Sequence, residues 1–262
     1  MASRFVIITA QRSGSNMLTS LLDDHPQIAC WGELMRPTPR WMRKQGYRGA
    51  LKVLDRLDAR YRDDSVRFAY PYDFVESVYG LPPASGAEAV GFKLHIDQHR
   101  EFLERLIDDP AYKLVILQRE NVLAQYSSWL IAEETGQGNA RKGDAIKRAR
   151  VHFGRRQFRG YVNRMQRHFE WTRSAIEKTG KSPFELRYTQ LNDPARLAEL
   201  IAFLGGDSSI VPEPSTAKRN PSDILDRFDN PGEVERELKR MGCPHWVTET
   251  PEGTAAAASG SA

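Results

Sequence analysis

The sequence predicts an α/β fold, a largely parallel central β-sheet flanked by helices. Two observations predict it. Short apolar runs of strand length recur along the chain, among them Phe5-Val6-Ile7-Ile8, Ala89-Val90-Gly91-Phe92-Lys93-Leu94-His95 and Tyr112-Lys113-Leu114-Val115-Ile116-Leu117. Between them, apolar residues return at the three-and-four spacing of a helix face. Alternating strands and helices of this kind build parallel sheets covered on both sides. A chain of 262 residues, 40% hydrophobic and 27% charged, is long enough to bury both faces.

The elements follow in order. Residues 5–9 are a buried strand. A polar loop with one glycine, residues 10–15, leads to Met17, Leu18, Leu21 and Leu22, which share a helix face. Residues 27–31 are a second short strand. Residues 36–87 are rich in Pro, Arg and Tyr without steady periodicity; irregular helices and loops are expected there, as a candidate substrate lid. Residues 89–95 are a strand, Phe102, Leu103, Leu106 and Ile107 mark a helix, residues 112–117 are the clearest buried strand, and residues 122–131 are helical. Within 141–178, Val151, Phe158, Tyr161, Val162, Met165, Phe169 and Trp171 predict one long helix with an aromatic and an arginine-rich face. Residues 184–188 are a strand. Asp193-Pro194 opens a helix that runs to Leu204 and stops at Gly205. One domain is expected over residues 1–247. Residues 248–262, rich in Ala, Gly, Ser and Thr, read as a disordered tail.

Composition removes several function classes. No apolar run approaches the ~20 residues of a membrane-spanning helix. The apolar run at the N-terminus is too brief for a secretory core, so a cytoplasmic location is expected. Cys30 and Cys243 have no metal-ligand spacing and read as free thiols, and no metal is expected. The net charge of +4 is unevenly spread: residues 141–167 hold ten Arg and Lys against the single acid Asp144. Such a cluster favours an anionic partner.

The first chemical motif is Thr9-Ala10-Gln11-Arg12-Ser13-Gly14-Ser15-Asn16, between a strand and a helix. A loop in that place aims backbone N–H groups and a helix N-terminus at an anion. Against the P-loop template G-x-x-x-x-G-K-[ST], Gly14 takes the second glycine, Thr9 stands for the first, Ser15 for the lysine and Asn16 for the metal-binding hydroxyl. The cradle is kept and the usual grip on a γ-phosphate and Mg²⁺ is not. A nucleotide that reacts without a metal fits such a loop, with Arg12 placed to offset charge on a departing oxygen.

Gln11-Arg12-Ser13-Gly14-Ser15 resembles the 5′-phosphosulfate loop of sulfotransferases that use 3′-phosphoadenosine-5′-phosphosulfate (PAPS). Asn16 departs mildly, since Ser or Thr is more usual there. Arg119 ends a strand and Ser127 follows eight residues later in the next helix, which is similar to that family's 3′-phosphate motif. An arginine and a hydroxyl so placed can both donate to a phosphate. A weaker likeness runs through Glu185-Leu186-Arg187-Tyr188-Thr189-Gln190-Leu191 and Phe203-Leu204-Gly205, with Gln190 where an acid is more usual; it reads as scaffold. Residues 117–136 look most like the bacterial branch acting on carbohydrates, which includes the trehalose, nodulation-factor and lipopolysaccharide sulfotransferases. The resemblance covers roughly residues 4–35, 89–136 and 184–240.

It implies a P-loop-like fold, PAPS as co-substrate with 3′-phosphoadenosine-5′-phosphate (PAP) as product, and in-line sulfuryl transfer to a small hydroxyl acceptor. It also implies donor contacts from Arg12, Ser13, Gly14, Ser15, Asn16, Arg119 and Ser127, and from the late basic residues Lys218 and Arg219. An alcohol needs a base. Glu33 is the first candidate, matching in place a glutamate of the trehalose-type branch. His95, at the C-terminal end of a strand, is the second, because such ends face the ligand crevice and its intrinsic pKa suits the task. Two rival classes remain: a nucleotide-dependent kinase, for which the loop lacks the lysine and hydroxyl, and a nucleic-acid-binding protein using residues 141–167. The aromatics of that segment fall at helical spacing and read as core, so no nucleic-acid partner is expected. The arginine face could also serve a homodimer or an acidic acceptor.

Overall fold

In the central strand, successive side chains leave on opposite sides, as the two-residue period of a strand requires. Val6 and Ile8 enter one core and Phe5 and Ile7 another, all of them fully buried. This strand, β1 (Ser3–Thr9), therefore needs helices on both faces. The computed structural model describes residues 2–40, 42–82, 86–138, 145, 147–213 and 223–249.

The sheet has five strands in the order β2-β3-β1-β4-β5, where β2 is Ile28–Glu33, β3 is Ala89–His95, β4 is Tyr112–Gln118 and β5 is Phe184–Arg187. Every pairing is parallel. Helices α1 (Ser15–Asp23) and α8 (Pro194–Leu204) pack on the Phe5 side through Leu18, Leu21, Leu22, Leu197, Leu200 and Leu204. On the Val6 side lie α5 (Arg100–Asp108), α6 (Val122–Thr135) and α7 (Arg155–Glu177), through Phe102, Leu106, Tyr126, Phe158 and Val162. Gly91 lets β3 lie against the Phe5 ring, because a Cβ there would stand 2.4 Å from the Phe5 carbonyl oxygen. The chain runs from β1 outward to β2 on one side, then crosses to β4 on the other. In such open sheets the ligand crevice lies at the carboxyl ends beside the reversal.

Two expectations are corrected. The segment after residue 141 is not one helix: α7 starts at Arg155, because Val151 pairs with Phe228 as an isolated bridge and Gly154 is the extended N-cap. Residues 42–79 hold short irregular helices, as expected. They form α2 (Met42–Gln45), α3 (Asp64–Ala69), α4 (Pro71–Tyr79) and short 3₁₀ turns whose Leu51, Leu54, Tyr61, Phe74, Val75 and Val78 join the core. Arg67 of α3 is fully buried and holds the segment together. It donates to the carbonyls of Tyr61 and Arg36, to Thr38 Oγ1, and to Asp64 at 2.7 Å. Finally, the folded body continues past residue 247, beyond α9 (Pro231–Met241). Thr248 bridges to Asp223 and Glu249 is buried, so residues 248 and 249 belong to the folded body. Residues 250–262 lie outside the described residues.

Candidate active site

All five strands deliver polar or charged residues to one end of the sheet. The loop after β1 is shaped by its own backbone and by α6. Gly14 caps α1 with φ 81°, and a Cβ there would meet Leu191 Cδ1 at 2.6 Å and Tyr188 Cδ2 at 2.7 Å, so the position admits only glycine. Arg12 has φ 65°, a left-handed conformation that costs a non-glycine residue ~1–2 kcal/mol. Gln125 of α6 fixes the turn by donating to the Gln11 carbonyl at 2.6 Å and to Ser13 Oγ at 3.1 Å. The Ser13 hydroxyl thus faces the protein, and what Ser13 presents to an anion is its main chain. The first turn of α1 carries no side-chain cap, which leaves the positive end of its dipole turned toward the loop. Arg12 reaches from the loop to Ser128 Oγ at 3.0 Å and to the Gly138 carbonyl.

The cation missing from position 15 arrives from the neighbouring strand. Lys93 of β3 is 2% exposed, donates to Ser15 Oγ at 3.3 Å, and donates to Asn16 Oδ1. Burial pulls its pKa down to about 8, against the Glu33 carboxylate, which pulls it up. Two residues on, at the end of the same strand, stands His95. It is 5% exposed, and neither ring nitrogen has a hydrogen-bond partner among the described residues. Burial holds its pKa below the ordinary 6.5, partly offset by Glu33. Glu33 is the last residue of β2, set by a register shift between Trp31 and Glu33. Its Oε1 accepts from Gln98 Nε2 at 2.5 Å and lies 3.6 Å from His95 Nδ1. That gap is too long for a hydrogen bond and short enough to favour an imidazolium. The two candidate bases are therefore brought together.

The second cationic station lies beyond β4. Arg119 donates to the Arg12 carbonyl at 3.0 Å and lies 4.2 Å over the Tyr188 ring, which ties it to both the β1 loop and the turn after β5. Ser127 Oγ donates to the Ala124 carbonyl at 3.0 Å and accepts from Arg227 Nη1 at 3.0 Å. Arg227 is buried, and desolvation, with Arg119 beside it, lowers its pKa to about 10. The eight-residue spacing thus places Arg119 and Ser127 around a third partner. Opposite, Tyr161 of α7 is close enough to feel the charges of Arg119, Arg12 and Asp97, and burial pushes its phenol up.

The sulfotransferase family matches residues 4–205 of the chain. The chain belongs to that family. Nodulation protein H of Rhizobium tropici is 26% identical over 227 residues, 85% of this sulfotransferase and 84% of that protein. A crystal structure of a sulfotransferase from Alicyclobacillus acidocaldarius shares 15% identity over 94% of this chain and 96% of that one, with a TM-score of 0.44. Among the described residues, no helix of this sulfotransferase is long and apolar enough to cross a membrane.

Sequence reasoning missed Lys93, Gln125, Arg227 and Glu249 as site residues. A lysine inside the mostly apolar strand 89–95 was the available signal for Lys93, since central parallel strands are near-continuous apolar runs. Arg227 sits in no motif. Lys218 and Arg219, expected to reach the donor, lie outside the described residues.

Proposed function

We propose that this sulfotransferase moves the sulfuryl group of PAPS to a hydroxyl of a small acceptor, a carbohydrate or glycolipid, without a metal. The observation that carries the reading is the pair of separate cationic stations joined by the Arg119 to Arg12 hydrogen bond. One is a phosphate-type loop with Lys93. The other is Arg119 with Arg227 and Ser127. A nucleotide with anionic groups at both its 5′ and 3′ positions matches such a pair, and one phosphorylated only at 5′ does not need the second. The carbohydrate acceptor rests on the likeness of residues 117–136 to the bacterial carbohydrate branch.

The chemistry follows from the residues at the strand ends. The acceptor oxygen attacks sulfur in line with the bond to the 5′-phosphate oxygen. His95, neutral at pH 7, accepts the hydroxyl proton on a ring nitrogen, and Glu33 stabilises the imidazolium that forms. As the S–O bond breaks, negative charge grows on the phosphate of departing PAP. The Lys93 ammonium, the main-chain N–H groups of residues 13–16 and Arg12 are placed to stabilise it. Asn16, standing where a P-loop places its metal-binding hydroxyl, accepts from Lys93, so an ammonium sits at that position.

Calorimetry with PAP in the presence of EDTA tests the donor assignment. Micromolar binding that Arg119→Ala weakens by ~1.5–3 kcal/mol, the contribution of a charged hydrogen bond, is expected. Failure of the wild-type chain to bind PAP overturns the reading.

A further inference from the structure

The most buried ion pair of the site is made by the wrong anion. Arg119 gives both Nε and Nη2 to the two carboxylate oxygens of Glu249, with Nε to Oε1 at 2.8 Å. The side chains are 7% and 3% exposed. A carboxylate held this way on a guanidinium copies the two-oxygen face that a phosphate presents to arginine. Glu249 belongs to no helix or strand. It is carried by an extended strap that follows the 3₁₀ turn 244–247 and is held mainly by main-chain contacts. Asn121, the N-cap of α6, donates from Nδ2 to the carbonyls of Trp246 and Thr248, both at 3.0 Å. Ile224 donates its N–H to the Val247 carbonyl at 2.9 Å, and Trp246 meets Phe158 edge-on.

We infer that Glu249 is a resident counter-ion for the 3′-phosphate station, and that the C-terminal strap must release Arg119 before the donor's 3′-phosphate can bind there. The inference rests on the assignment of Arg119 to that phosphate. Its physical basis is the cost of buried charge. Arg119 and Arg227 are both desolvated, and Arg227 feels the charge of Arg119. Two such cations without an anion are strongly disfavoured, so a carboxylate must stand beside them whenever a phosphate does not. Glu249 raises the pKa of Arg119 and of Arg227, as a donor phosphate would. Occupancy is then exclusive. The donor gains only the difference between its phosphate and the carboxylate, and after transfer the same carboxylate competes with PAP and speeds its departure.

The test compares PAP with adenosine 5′-phosphate, which lacks the 3′ group, in the wild-type chain, in Glu249→Gln and in a chain ending at Thr248. The shortened chain guards against a folding defect specific to the substitution. Apparent affinity falls by the fraction of molecules with the strap open, so a strap closed in nine-tenths or more gives about a tenfold effect. Both variants are expected to bind PAP at least ~tenfold tighter and adenosine 5′-phosphate unchanged. Hydrogen exchange in the wild-type chain should show amides 246–249 losing protection when PAP is added and not when adenosine 5′-phosphate is. Unchanged or weaker PAP binding in both variants, with the strap still protected in the PAP complex, overturns the inference while leaving the donor assignment intact. Absence of PAP binding in all three chains overturns the donor assignment and the inference with it.

Discussion

At the scale of single residues, burial sets protonation and protonation sets the working pH. In the proposed mechanism His95 must be neutral to accept a proton, which its lowered pKa favours. Lys93 must be charged to stabilise the leaving phosphate, and its pKa of about 8 keeps it charged only below that value. Activity therefore rises with pH through the His95 titration below 6.5 and falls as Lys93 loses its proton near 8. A kcat/KM profile should show both limbs. Glu33→Gln removes the charge that raises the His95 pKa, so its acid limb should move to lower pH while kcat drops. A fixed acid limb in that variant would contradict the pairing. His95→Ala should cost ~10²–10⁴ in kcat, the usual contribution of a general base, with little change in PAP affinity. Loss of PAP binding in this variant would point to a role in holding the donor.

At the scale of elements, the sequence was most legible where local pattern alone decides. The strand 89–95 coincides with β3, and the others agree to within two residues at each end, because β1, β3 and β4 are short apolar runs that pack on both faces. The loop of residues 10–15 was legible because its glycine is required twice, by φ and by space. Gly14→Ala is therefore expected to destabilise the chain by ~2 kcal/mol or more, read from a denaturant midpoint. A midpoint within error of wild type would show that Tyr188 and Leu191 can yield. Helix α7 was legible only in part: its aromatic positions fall on the core side as their spacing requires, but its start at Arg155 depends on Val151 pairing with Phe228, far along the chain. The same limit applies to the site. Arg119 was recognisable beside a strand end. Arg227 and Glu249 were not, since nothing near them in sequence announces that the chain returns them to Arg119.

At the scale of the whole molecule, the parallel sheet makes the site by bringing its carboxyl ends together. Glu33 closes β2, Lys93 and His95 close β3, the anion loop follows β1, Arg119 follows β4 and Tyr188 follows β5. No two neighbouring elements could assemble this set, so its integrity follows global stability. Arg67 ties together the turns and helices of the segment 36–82. Arg67→Ala takes the ion-pair partner from Asp64 and the guanidinium donor from the buried Tyr61 carbonyl and the Arg36 carbonyl, and should lower stability by ~3–5 kcal/mol. In a chain of this size that is roughly 10 °C in melting temperature. A smaller shift would mean that the segment is held by its apolar side chains alone. The central claim, that the two cationic stations hold the two ends of one nucleotide, is tested most directly by a crystal structure of the chain with PAP. The 5′-phosphate is expected on the main chain of residues 13–16 and Lys93, and the 3′-phosphate on Arg119 and Arg227 with Glu249 displaced. A nucleotide bound elsewhere, with Arg119 still paired to Glu249, would contradict it.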